Sequence, residues 1–168
     1  DIEAAVPPID DDVVKLAKQV IADCAEKNVT VSTAESLTGG MIGYVLTSIP
    51  GSSDVVKGGA ITYDNEAKHR VLGVNEHLLS TEGAVDGNVA IQMAEGSFKL
   101  FSSDISVAVT GIAGPTGEEP GKPIGTVFFG VCTRGISRSI RMQFDGNRDE
   151  VRAKTAKYAL EIIADSLD

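Results

Sequence analysis

Cysteine is scarce in this sequence, Cys24 and Cys132 being the two among 168 residues. So widely spaced a pair builds neither a disulfide framework nor a metal knuckle, and the apolar neighbours predict buried thiols in a reducing cytoplasm. Histidine is equally sparse. His69 and His77 lie eight positions apart with no cysteine or second carboxylate at ligand spacing, so no metal site is predicted. No stretch reaches the ~18 apolar residues of a spanning helix, and no charged segment precedes an apolar one at the start; the chain reads as soluble, without a membrane partner. Positive charge is short as well: 15 Lys and Arg face 24 Asp and Glu, a formal net charge of −9. Capture of nucleic acid needs lysine and arginine facing phosphate and is disfavoured, so an anionic ligand must meet a local positive site.

Two nucleotide-binding signatures are missing too. Around Gly121-Lys122, Thr116 stands where a Walker loop needs its leading glycine and Pro123 where it needs serine or threonine. Gly39, Gly40 and Gly43 lack the spacing of the dinucleotide fingerprint.

What is present suits one globular domain, with 42% hydrophobic residues enough for a real core. Residues 1–10, with Pro7-Pro8, read as an arm or linker before a domain over 11–168. Helical spacing of Val13, Leu16, Ala17, Val20, Ile21 and Cys24 predicts a first helix ending at Asn28. A short strand at Val29 to Val31 follows, then a helix over Thr38 to Ser48 facing inward with Met41, Val45 and Leu46. A strand over Gly58 to Tyr63, a short helix over Glu66 to Leu72 and a longer one over Val85 to Leu100 come next, the last presenting Val89, Met93 and Leu100 on one face. Ile105 to Val109 is a strand. The glycines and prolines between Gly111 and Lys122 form a loop, leading to strands Thr126 to Thr133 and Ser137 to Phe144 joined by a hairpin at Arg134-Gly135. A last helix begins near Asn147 and buries Val151, Thr155, Tyr158 and Ile162. Strands alternating with helices and closed by a hairpin predict an α/β fold, a three-layer α/β/α sandwich with a mixed sheet.

Three segments concentrate chemistry. In Ser32-Thr33-Ala34-Glu35-Ser36-Leu37-Thr38-Gly39-Gly40 a strand runs into a glycine-containing helix start, presenting a hydroxyl and free backbone N–H groups together. Ser36 is the nucleophile candidate. In Tyr63-Asp64-Asn65-Glu66-Ala67-Lys68 the tyrosine ends a strand and the lysine lies on the next helix, so both can face one strand end. A lysine whose pKa falls from about 10.4 toward neutrality becomes a base for a serine hydroxyl, with a tyrosine as relay. The alternative is a surface tyrosine and a solvated lysine. Short-chain dehydrogenases also pair tyrosine with lysine, but on one helix with three intervening residues rather than four. A serine, histidine, aspartate triad is compatible with the spacing, but nothing marks it. Thr110-Gly111-Ile112-Ala113-Gly114-Pro115 leaves a strand end where open α/β sheets place ligands. Arg148 begins the last helix, where it could hold a phosphate or pair with Asp149 or Glu150.

Together these segments resemble the CinA C-terminal domain family, the nicotinamide-nucleotide amidohydrolases or NMN deamidases. The likeness runs from about Val31 to Tyr158, through Thr33-Ala34-Glu35-Ser36 with Thr38-Gly39-Gly40, Pro50-Gly51-Ser52-Ser53, Tyr63 with Asn65-Glu66-Ala67-Lys68, Gly83-Ala84-Val85, Val109 to Pro115, Lys122-Pro123 with Gly125-Thr126-Val127, and Arg148. The resemblance implies hydrolysis of the carboxamide of nicotinamide mononucleotide to nicotinic acid mononucleotide and ammonia, in pyridine-nucleotide salvage. It implies Ser36, Tyr63 and Lys68 as catalytic residues, substrate contacts from Glu35, Thr38, Gly39, Gly40, Thr110, Gly111 and Arg148, no metal or organic cofactor, and a homo-oligomer. Oxyanion donors are expected among the backbone N–H groups near Ser36 or Gly111. Leu37 departs from the family, which commonly has cysteine there. Two other readings stay open: a catalytically inactive nucleotide-binding or regulatory module, and an amidase of another small substrate. Members of the family are often fused behind a molybdopterin-binding-like domain, so the chain is expected either to stand alone or to be parted from such a partner.

Overall fold

The structure, a computed structural model, describes residues 9–168. Among the described residues twelve elements run α1 (Asp11–Lys27), β1 (Val31–Glu35), α2 (Met41–Thr47), a 3-10 turn (Ser52–Asp54), β2 (Val56–Ile61), α3 (Asn65–Leu72), α4 (Glu76–Glu82), α5 (Gly87–Phe101), β3 (Ile105–Gly111), β4 (Thr126–Thr133), β5 (Ile136–Gln143) and α6 (Arg148–Asp165). Of the expected arm over residues 1–10, positions 1–8 lie outside the described residues. Asp10 accepts from the Asp12 N–H as the N-cap of α1, and Ile9 packs against the core.

The five strands form one mixed sheet in the order β2-β1-β3-β4-β5. β1 pairs in parallel with both β2 and β3, while β3–β4 and β4–β5 are antiparallel. One apolar core joins α1, α2 and α6 to one face through Val31, Val107, Val109, Phe129 and Val131. A second joins α3, α4 and α5 to the other through Ala34, Ala108 and Cys132. This is the three-layer sandwich predicted. Alternation along β3 explains it, because Ile105, Val107 and Val109 face the first layer while Ala108 faces the second. Small residues on the second face let α5 approach closely: a Cβ at Gly130 of β4 would collide with the Ala90 carbonyl of α5.

Several boundaries differ from the sequence reading, for physical reasons. α2 begins at Met41 rather than Thr38, since Gly39 and Gly40 take φ of +59° and +101° and spend those positions on a left-handed turn. Met41 is only partly buried, as is Tyr158. β3 continues through Thr110 and Gly111, beyond the Val109 at which the sequence pattern ends it. α4 has no counterpart in the sequence pattern; it has seven residues, is largely exposed, and announces itself only through Asn75, whose side chain accepts from the Leu78 N–H. Leu100 faces solvent instead of joining Val89 and Met93. The hairpin at Arg134-Gly135 has positive φ at both residues, 51° and 87°, as a type I′ connection requires.

Close passage of α5 over β4 makes Gly130 the most sensitive glycine of the sheet. Gly130→Ala is expected to lower stability by about 1–3 kcal/mol through over-packing, against about 1 kcal/mol for Gly121→Ala, where φ is +75° but the space is open. Urea unfolding midpoints of the two variants test that order.

Candidate active site

All three parallel strands end on one side of the molecule, and the residues that follow them line a cavity of about 320 Å³. Ser36 comes from the end of β1, Tyr63 from the end of β2, Thr110 and Gly111 from the end of β3. Carboxyl ends of parallel strands are where such sheets hold ligands. Lys68 of α3 lies at the base, Arg148 of α6 at the rim, and Leu37, Val85, Ile112 and Ala113 supply apolar wall.

The alternation of β1 decides which residues reach the cavity. Successive side chains point to opposite faces, so Thr33 and Glu35 face α2 while Ser32, Ala34 and the following Ser36 face the α3 and α5 layer. Glu35 is therefore buried beneath the turn that follows Ser36. Its carboxylate accepts from Thr38 Oγ1 at 2.6 Å, the Ile42 N–H at 2.9 Å and the Gly43 N–H at 3.0 Å. Gly40, the N-cap of α2, has no side chain to offer those N–H groups, and Glu35 performs the capping from the strand. Glu35, Thr38, Gly39 and Gly40, expected as substrate contacts, are not among the residues lining this cavity: Thr38 bonds Glu35, and Gly39 and Gly40 form the turn.

Lys68 is 1% exposed. Its Nζ lies 3.0 Å from Ser36 Oγ, 2.9 Å from the Thr62 carbonyl oxygen and 2.9 Å from that of Tyr63. α3 aims it there, because the Asp64 carboxylate caps the helix through the Ala67 N–H at 2.8 Å and Leu72 anchors it in the second core. Burial lowers its pKa from 10.5 to about 8, opposed by the Asp64 charge. The two carbonyls only accept, so they hold two of its N–H bonds. In the neutral amine the lone pair then faces the hydroxyl of Ser36. A buried amine and a hydroxyl are thus brought within hydrogen-bonding distance.

Tyr63 enters this arrangement through its main chain. The residue is 61% exposed; its hydroxyl accepts from Arg148 Nη2 at 3.2 Å, while its carbonyl meets Lys68 and lies 3.4 Å from Ser36 Oγ. The phenol makes no hydrogen bond to Ser36 or Lys68, so the expected relay through it has no contact here. Arg148 also donates from Nη1 to the Gly114 carbonyl at 2.8 Å, bridging the loops after β2 and β3 rather than pairing with Asp149 or Glu150. Glu150 instead closes a capping box with Asn147. Thr110 lines the cavity with its hydroxyl donated to the Ala84 carbonyl at 2.8 Å. The Ser36 N–H is spent on the Val109 carbonyl at 3.1 Å and the Gly39 N–H on the Ser36 carbonyl at 3.1 Å, which removes two of the expected oxyanion donors. Arg152 was missed by sequence reasoning. It donates from Nε to the Leu37 carbonyl at 2.9 Å and from Nη2 to the Thr38 carbonyl at 3.3 Å, and only its position one turn after Arg148 could have singled it out. His69 bonds Val74 and Glu76, and among the described residues no three metal-ligating side chains converge.

The family model of the CinA C-terminal domain matches residues 13–167. A CinA-like protein of Gemmatimonas aurantiaca is 47% identical over 152 residues, 90% of this chain; the chain spans 35% of that protein's length. The nicotinamide-nucleotide amidohydrolase PncC of Escherichia coli is 42% identical over 155 residues, 92% of this chain and 94% of that one. Among solved structures, the competence/damage inducible protein CihA from Agrobacterium tumefaciens superposes with a TM-score of 0.92 at 41% identity, covering 97% of this chain and all of the other.

A lysine amine that titrates near 8 should stand apart from the surface lysines. In spectra of protein labelled at lysine Cε, one resonance is expected to move with a midpoint near 8 and to vanish in Lys68→Met. Asp64→Asn keeps the helix cap but removes the charge that favours the ammonium, so its midpoint should fall below that of the parent. An unchanged or higher midpoint would contradict the assigned cause.

Proposed function

The chain belongs to the CinA C-terminal domain family, and from that membership we propose that it hydrolyses the carboxamide of nicotinamide mononucleotide, releasing ammonia and nicotinic acid mononucleotide. The observation that carries this reading is the 3.0 Å contact between Lys68 Nζ and Ser36 Oγ in a buried position. The name of the E. coli relative, which shares nearly its whole length with this chain, supports the substrate. The site lies within the cytoplasm in this reading, which its two free, buried thiols support.

In the proposed reaction neutral Lys68 takes the proton of Ser36 as Oγ attacks the carboxamide carbon. The tetrahedral intermediate collapses when the Lys68 ammonium returns that proton to the departing nitrogen, which leaves as ammonia. Water then attacks the acyl-serine, Lys68 taking its proton and returning it to Ser36 Oγ as that oxygen leaves, and the product departs as a carboxylic acid that ionises in solvent. The chain's own groups suffice for these transfers. Lys68 serves as the base without Tyr63, whose phenol joins Arg148 at the rim. In this reading the guanidinium, exposed and at the first turn of α6, meets the phosphate, while Leu37, Val85 and Ile112 offer apolar contact to the pyridine ring. Leu37 in place of a thiol keeps that wall apolar and leaves Ser36 as the nucleophile. An inactive binding module would have no use for a desolvated lysine aimed at a serine, since burying it without a counter-ion opposes folding.

Ammonia release by the purified protein is expected from nicotinamide mononucleotide and not from free nicotinamide. Ser36→Ala and Lys68→Ala should each lose at least ~100-fold in kcat, and Tyr63→Phe far less. Because the free amine is the active form, kcat should rise as pH passes through about 8 and level off above it. Undiminished turnover in Ser36→Ala would end this reading; turnover of other amides in preference to the nucleotide would change its substrate alone.

A further inference from the structure

The turn from Ser36 to Gly40 is held by two opposite charges. Glu35 grips it through Thr38 Oγ1 and the start of α2. From α6 comes Arg152, whose guanidinium spans two consecutive carbonyls, Leu37 at 2.9 Å and Thr38 at 3.3 Å. Among the described residues Arg152 pairs with no carboxylate, and it does not line the cavity. Its bonds are therefore directed wholly at this turn.

We propose that Arg152 is the positioning residue of the nucleophile. The Thr38 carbonyl that it binds belongs to the same peptide unit as the Gly39 N–H, and that N–H donates to the Ser36 carbonyl at 3.1 Å. A chain of two hydrogen bonds thus runs from the guanidinium through one peptide plane to the main chain of Ser36. Bonds in series polarise one another, and a cationic donor at the head strengthens those that follow. The Ser36 N–H is fixed separately by the Val109 carbonyl at 3.1 Å. With both ends of the residue held, its Oγ is kept at the Lys68 amine although it sits just beyond the strand ladder. Arg148 and Arg152, one turn apart on α6, then divide the work: the first faces substrate, the second holds the backbone that carries the attacking atom.

This inference rests on Ser36 being the nucleophile, and the test separates the two. Labelling of Ser36 by a fluorophosphonate probe reads nucleophile placement without the natural substrate. Arg152→Ala is expected to slow labelling and to lower kcat by about 10- to 100-fold, with KM changed by less than about 2-fold. The rise of kcat near pH 8 should stay where it is, because the surroundings of Lys68 are untouched. Added guanidinium at non-denaturing concentration should restore part of the lost rate, and Arg152→Lys should recover less than wild type because one ammonium lacks the planar fork that spans both carbonyls. Should Arg152→Ala fail to fold, Arg152→Lys carries the same comparison. Labelling of Arg152 variants at the wild-type rate, or a rise in KM at constant kcat, would overturn the positioning role and leave the reading of Ser36 intact. Labelling of wild type that persists in Ser36→Ala would overturn both.

Discussion

A single buried amine organises the functional half of this molecule. Lys68 carries no carboxylate against its Nζ; it meets two main-chain carbonyls and one hydroxyl. An ammonium in that setting is poorly compensated, since carbonyl dipoles replace hydration less well than a counter-ion would. The neutral amine is favoured for that reason, and the same carbonyls that accept from it orient what remains. Each neighbour has its place because of this. β2 ends at Ile61 so that Thr62 and Tyr63 can turn their carbonyls toward α3, and the Thr62 N–H continues the β1 ladder by donating to the Glu35 carbonyl at 2.9 Å.

The meeting of Ser36 with Lys68 depends on a rule of the extended chain. Glu35 and Ser36 are adjacent, and adjacent residues of a strand look to opposite faces. One becomes the cap of α2 and the other meets Lys68. A carboxylate beside the lysine would have raised the amine's pKa and left less of it as the free amine near neutral pH; alternation keeps Glu35 on the far side of the sheet. Asp64 is the nearby anion that does oppose the shift, and it is occupied as the N-cap of α3. Stability of α3 and basicity of Lys68 therefore pull on the same carboxylate.

Much of this was legible in the sequence, and the exceptions have identifiable causes. Helices and strands with clear 3.6 or 2.0 periodicity appeared where Val20, Val107 and Phe129 now lie buried, and the mixed sheet followed from their order. Ser36 and Lys68 could be singled out because their neighbours mark a strand-to-helix turn. The role of Glu35 was not legible. Its neighbours in sequence are site residues, and only the register of β1 reveals that it faces away. Tyr63 misled for a different reason: the residue does contact Lys68, but through a carbonyl that every amino acid has, while its distinctive phenol turns to Arg148. Arg152 left no signal of its own, because its partners are also main-chain oxygens. Composition and motif find side chains that act through their functional groups and pass over those that act on the backbone.

The charge balance of the chain acquires a local meaning from this arrangement. With a net charge of −9 the surface repels anions at long range. Arg148 and Arg152 counter it where the turn and rim meet, and neither is neutralised by a salt bridge among the described residues. Both spend donors on main-chain carbonyls, which hold a guanidinium in place without cancelling its charge. Arg148 keeps its charge available to a ligand entering the cavity, and its bonds to Gly114 and Tyr63 orient it without requiring the ligand to displace a carboxylate. The same economy governs Lys68 at the base, where carbonyls orient an amine that a counter-ion would have silenced. Basic side chains directed by backbone oxygens are thus the common device of the site.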